Sequence, residues 1–104
     1  MFYDKEITIM EDTGYMNDYG RWVDGELTKV KTIECDVQPY NKSLAYKDYA
    51  FEEDVKYRVF CDPEPLIKNG TQVQYQEVFK DKPTIFNVVN IIPWDDYWIL
   101  LLDN

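Results

Sequence analysis

A chain of 104 residues with 45% hydrophobic and 16% aromatic residues can build one packed core, and a single domain over residues 1–104 is expected. Its 20 Asp and Glu outnumber 11 Lys and Arg, for a formal net charge of -9, which disfavours binding to nucleic-acid phosphates and to anionic membranes, since both attract Lys and Arg. No apolar run approaches the about 20 residues of a membrane helix, and Met1 to Glu6 lacks the basic start and apolar stretch of a secretory signal, so a place in the cytosol is expected.

The dominant period along the chain is two rather than 3.6. Lys5 to Met10 is predicted as a first strand with Ile7 and Ile9 on one face. Turn formers follow at Asp12-Thr13-Gly14, Asn17-Asp18-Tyr19-Gly20 and Asp24-Gly25, which predicts a protruding loop or loose hairpin over Thr13 to Glu26. Thr28 to Gln38 alternates cleanly, with Ile33, Cys35 and Val37 on one side, and Pro39 ends it by removing a ladder donor.

Asn41 is placed to cap a short helix over Lys42 to about Phe51, ending by Ala50 because Glu52-Glu53-Asp54 would oppose the helix dipole at its C-terminus. A third strand is predicted from Asp54 to Cys61, with Val55, Tyr57, Val59 and Cys61 sharing a face. Turns at Asp62-Pro63-Glu64-Pro65 and Asn69-Gly70 lead into Gln72 to Gln76, with Val73 and Tyr75 inward. Ile85 to Ile92 is nearly continuous apolar sequence broken by Asn87 and Asn90, which suggests a bulge. Pro93 to Asp96 then turns the chain into Tyr97 to Leu102. That last strand is apolar on both faces and must be covered twice, by the core and by the helix or another subunit. About six strands and one short helix point to a mainly β fold, a small antiparallel barrel or sandwich.

The residues that carry chemistry are few. The chain has no histidine, so histidine-based triads within one subunit are excluded and the commonest metal ligand is missing. No glycine-rich phosphate loop follows a strand. Cys35 and Cys61 lack CxxC spacing and are expected as buried thiols, too few for a structural zinc site. Carboxylate neighbours such as Glu11-Asp12 and Asp95-Asp96 point to opposite faces of an extended chain and do not form an acid–base pair. Glu52, Glu53 and Asp54 could approach a hard cation, but without a binding-loop motif they are expected to be a solvated corner. No catalytic residue, cofactor or metal is therefore expected, and the chain is not expected to be an enzyme.

Aromatic residues in turns are harder to explain by sheet packing. Tyr15, Tyr19, Trp22 and Trp94 lie in predicted loops, where large rings commonly anchor protein interfaces. Leu44, Tyr46, Tyr49 and Phe51 on the helical segment join them as candidate contact residues.

The order of these elements is familiar. A first strand, a tyrosine–glycine turn at Asp18-Tyr19-Gly20, a strand ending Cys35-Asp36-Val37-Gln38-Pro39, a short helix, the strand Val55-Lys56-Tyr57-Arg58-Val59, the Gly70-Thr71-Gln72-Val73-Gln74-Tyr75 strand and two closing strands together resemble phage head–tail joining proteins over nearly the whole chain. The connection Glu77 to Pro83 is longer than a tight turn. The resemblance implies a virion protein, adaptor or stopper, made in the bacterial cytoplasm from a phage or prophage gene. It implies a homo-oligomeric ring between portal or adaptor proteins and a tail completion protein, extending or closing the DNA channel without tight DNA binding or membrane contact. The Thr13 to Glu26 loop and the Asn41 to Asp54 segment are the expected contacts. Acidic walls would repel passing phosphates, and mutual repulsion of the copies should make ring assembly weak and salt-dependent. An acidic mimic of DNA would need an unbroken carboxylate face, which Lys29, Lys31, Lys42, Lys47, Lys56, Lys80 and Lys82 interrupt. An OB-like single-strand binder would need a basic groove that the sequence does not show.

Overall fold

The computed structural model describes residues 3–104; Met1 and Phe2, the start of the N-terminal stretch discussed above, lie outside the described residues. The strands are β1 (Lys5–Asp12), β2 (Tyr15–Met16), β3 (Trp22–Val23), β4 (Leu27–Pro39), β5 (Tyr57–Cys61), β6 (Gln72–Tyr75), β7 (Thr84–Pro93) and β8 (Trp98–Asp103), with helix α1 (Lys42–Tyr49) between β4 and β5. Six of them close an antiparallel barrel in the order β1-β4-β5-β8-β7-β6, and β2 and β3 form a separate two-stranded piece.

Alternation explains the interior. Ile7, Ile9, Cys35, Val37, Val59, Cys61, Val73, Phe86, Val88, Leu100 and Leu102 fill the barrel as one buried cluster. Tyr57 joins them at one end, its ring edge-on to Tyr75 at 5.5 Å and to Phe86 at 5.2 Å, a favoured aromatic geometry. Cys35 and Cys61 are cross-strand partners, both buried and unlinked. Burial pushes both thiols up to about 12, so they stay protonated at neutral pH.

A second core lies outside the barrel and accounts for the doubly apolar last strand. Ile99 and Leu101 point away from the interior and pack with Tyr40, Ala45 and Val55 under α1, with Phe60, Val89, Ile92 and Tyr97 at the margin. A bulge at Val89 lets β7 serve both layers. The register with β8 jumps between Val88 and Asn90, so Val88 and Ile91 face the interior while Val89 and Ile92 face the outer layer.

Two expectations need correction. The third strand begins at Tyr57, not Asp54, and Val55 belongs to the outer core rather than to the face of Tyr57 and Val59. The chain is still leaving the helical layer at Val55. Only at Lys56 does it reach the barrel, donating to the Leu102 carbonyl at 2.8 Å and accepting from Tyr40 N at 2.9 Å. The helical segment buries Ala45 and leaves Leu44 and Tyr46, two of the candidate contact residues, exposed.

Candidate assembly surfaces

The Thr13 to Glu26 segment is a hairpin arm. β1 pairs with β6 only over Thr8–Met10 but stays paired with β4 out to Asp12 and Leu27. The two strands thus leave the barrel together, past a bulge where Ile9 faces Lys31 and Met10 faces Lys29, so that Val30 is the extra residue. Thr13 and Glu26 then lock the arm. Thr13 N and Oγ1 donate to the Glu26 carbonyl, each at 3.1 Å, and Glu26 N donates to Thr13 Oγ1 at 2.9 Å. Beyond them Tyr15 pairs with Val23 and Met16 with Trp22.

At the tip, the Asn17 side-chain carbonyl accepts from Tyr19 N at 3.0 Å and Arg21 N at 2.9 Å, the short-range bonding expected of asparagine in a turn. Close approach dictates two glycines below it. A Cβ on Gly25 would lie 2.1 Å from Gly14 N, and one on Gly14 would lie 2.4 Å from the Trp22 ring. The arm makes the protein elongated, 47 × 29 × 28 Å.

The arm combines exposed apolar surface with negative charge. Tyr19 is 89% exposed, and Tyr15, Met16 and Trp22 are each more than half exposed. Trp22 divides its ring between Gly14 and solvent. Glu11, Asp12, Asp18, Asp24 and Glu26 stand along the same segment against Arg21 alone. Rings held on a hydrogen-bonded turn have little conformational freedom left to lose, and the carboxylates give the arm a negative field.

The helix presents a second surface. The Asn41 side chain accepts from Leu44 N at 2.9 Å and caps the first turn, and Ala50 closes the helix in the left-handed region with φ 55. Leu44 and Tyr46 face solvent, whereas Tyr49 and Phe51 are half-buried against the outer core. Trp94 is exposed on the β7–β8 turn, where its amide donates to the Tyr97 carbonyl at 3.0 Å. The eight aromatic and apolar candidates therefore divide among the arm, the helix and this turn rather than forming one patch.

Two features lie outside the contact residues expected from the sequence. Arg58, an apparently ordinary outward cation of β5, is the clamp that seats α1. Its guanidinium lies 4.5 Å from the Tyr40 ring centre and 4.9 Å from that of Phe60. Nη1 donates to Tyr49 Oη at 3.2 Å, Nη2 donates to Gln38 Oε1 at 2.8 Å, and Asp48 stands 3.8 Å away. Tyr40 Oη donates to the Asp48 carboxylate, with the Leu44 carbonyl 3.2 Å from the same hydroxyl. Burial, then the bond to Asp48, raises the Tyr40 phenol well above its ordinary range. The other feature is the β6–β7 loop, where Val78 is 78% and Phe79 96% exposed.

Among the described residues no cluster of metal-ligating side chains occurs, and no helix is long and apolar enough to cross a membrane. The described geometry offers exposed apolar and aromatic surface around a closed barrel.

Comparison with known proteins agrees with that geometry. The solution structure of protein SF1141 from Shigella flexneri 2a is similar in fold, with a TM-score of 0.75 at 12% identity over 98% of this chain and 92% of that one. No curated protein matches significantly. The profile of the family described as phage head completion protein matches residues 3–101. The chain therefore belongs to the phage head completion protein family and has a structural role in phage head assembly as a component of the virion.

Proposed function

We propose that the protein is a subunit of the head–tail connector, repeated in a ring between the portal and the tail, where it extends or closes the DNA channel. The observation that carries this reading is the arm, a braced hairpin that holds exposed Tyr15, Tyr19 and Trp22 away from the barrel. Family membership supports it. Leu44 and Tyr46 on the helix and Trp94 on the β7–β8 turn are the further contact points, while Tyr49 and Phe51 shape the helical surface from beneath. Portal or adaptor and tail completion proteins are the partners, and basic residues on them would relieve the repulsion among copies of net charge -9. Function on this reading is shape and contact, with no bond made or broken.

Deletion of the gene in the phage or lysogen, followed by negative-stain electron microscopy of the lysate, tests the reading. Separate heads and finished tails, with DNA leaking from the heads, are expected. Normal virions would overturn it.

A further inference from the structure

The β6–β7 loop carries the most exposed large apolar residue of the described chain, and it is not a loose one. Lys80 N donates to the Glu77 carbonyl at 3.2 Å, closing a turn with Val78 and Phe79 at its corners. The Gln76 side-chain amide reaches across the turn and donates to the carbonyls of Glu77 and Lys80. The Glu77 side chain meets Tyr57, whose phenol it helps to raise after burial. An apolar pair is thus held out in water on a braced turn, followed by Lys80 and Lys82 with Asp81 between them. Such bracing lowers the entropy lost when the pair docks.

A surface of matching character lies elsewhere on the same barrel. Val30, Leu66 and the buried Met10 line a groove of about 360 Å³ together with Glu11 and Asp12. Val30 is available there only because the β1–β4 bulge makes it the extra residue, and Val30 and Leu66 are both exposed. Gln72 of β6 borders this groove, while the Phe79 turn follows Tyr75 at the other end of the strand. Four residues of strand span about 13 Å, so one copy does not fill its own groove.

We infer that the Val78–Phe79 knob of one copy inserts between Met10, Val30 and Leu66 of the next, with Lys80 and Lys82 facing Glu11 and Asp12. Knob and groove are different patches, so the contact is heterologous and propagates head to tail, closing into a ring where the rotation per subunit permits. The inference rests on the ring reading above and names the surfaces that would build the ring. Apolar burial carries the affinity, and the charges set register, since rim ion pairs contribute little by themselves.

The test is cross-linking between two variants of the full chain. Phe79→Cys and Leu66→Cys both change exposed side chains, and the native thiols are buried and protonated. Mixed at millimolar concentration under mild oxidation, the two are expected to give a covalent dimer that neither gives alone. Phe79→Ser should raise the concentration needed for self-association by about tenfold or more, the loss of one buried aromatic. Lys80→Glu with Lys82→Glu should weaken association, and Glu11→Lys with Asp12→Lys in the partner copy should restore it. If rings of the unaltered chain form while Phe79→Ser assembles equally well and the mixture does not cross-link, the contact is overturned and the ring reading survives. A dimer from Phe79→Cys alone also overturns it, because the contact would then be symmetric. If the unaltered chain does not assemble and the two cysteine variants do not cross-link at any concentration, contact and ring fail together.

Discussion

Replacing Arg58 should detach the helix from the barrel before it unfolds the barrel. Two hydrogen bonds from a charged donor, to Tyr49 and Gln38, contribute about 1.5–3 kcal/mol each. The two ring contacts, with Tyr40 and Phe60, add about 0.5–1 kcal/mol each. The half-exposed Asp48 adds about 0–1 kcal/mol. Against these stand the several kcal/mol needed to desolvate a guanidinium and the Nε atom, buried without a partner. A net loss of about 2–3 kcal/mol is therefore expected for Arg58→Ala. Arg58→Met keeps the apolar stem over the rings and should lose about 1 kcal/mol less. Urea unfolding reads the total, and amide hydrogen exchange locates it. Because the clamp touches α1 and the outer face of β5, the Tyr46 to Ala50 amides should exchange much faster while Val59, Phe86 and Leu100 follow global unfolding. Unchanged helix protection in Arg58→Ala, or a total loss below about 0.5 kcal/mol, would refute the reasoning.

Three further outcomes follow from other parts of the fold. Ala50 holds φ 55 at the helix C-terminus, so Ala50→Gly should stabilise the protein by about 1 kcal/mol in urea, and a loss of stability would show that its methyl packs. Gly25→Ala should disrupt the arm, because its Cβ would sit 2.1 Å from Gly14 N; near-ultraviolet dichroism of Trp22 and protease cleavage within residues 14–25 would report this, and an unchanged arm would contradict the close approach. Cys35 and Cys61 are raised to about 12 from 9.0, and burial also raises Tyr40, Tyr57 and Tyr75 above 10.0. Raised acids favour the fold while protonated, so their stabilisation is complete below pH 9 and is lost as pH climbs through about 12. Thermal unfolding between pH 8 and pH 12 should show a steady fall, and a flat profile would contradict it.

Much of the barrel was legible because its strands alternate. Ile33, Cys35 and Val37 on β4, and Val73 and Tyr75 on β6, follow the period-two pattern and face the interior. The two apolar faces of β8 correctly required two covers, and the helical layer supplies the second. Val55 misled because a residue at the right spacing before a strand looks like part of it, and only the crossing at Lys56 separates the layers. Arg58 was illegible for a related reason. A lone cation between apolar strand residues reads as facing solvent, and its partners Asp48 and Tyr49 lie on α1, with Tyr40 in the connection before it. On the arm, Tyr19 and Trp22 were visible as aromatics in turns, but the pairing of residues 15–16 with 22–23 has no periodic signal at two residues per strand. The same aromatic-in-a-turn signal was present at Phe79, one residue in a connection noted only for its length.

The barrel is sealed by its shortest ladder. Only Thr8, Ile9 and Met10 join β1 to β6, against partners at Gln74, Val73 and Gln72, whereas β1 meets β4 along its whole length. These partners are also far apart in the chain, and bringing distant segments together carries a larger loop-closure cost than joining neighbours. Folding can therefore accumulate an open sheet in which every other ladder is made and this seam is not. In that species β1 and β6 are bare edges beside an apolar interior, a template for pairing with another chain. Concentration during synthesis thus acts in both directions, since the crowding that favours assembly of the closed form also favours misjoining of the open one.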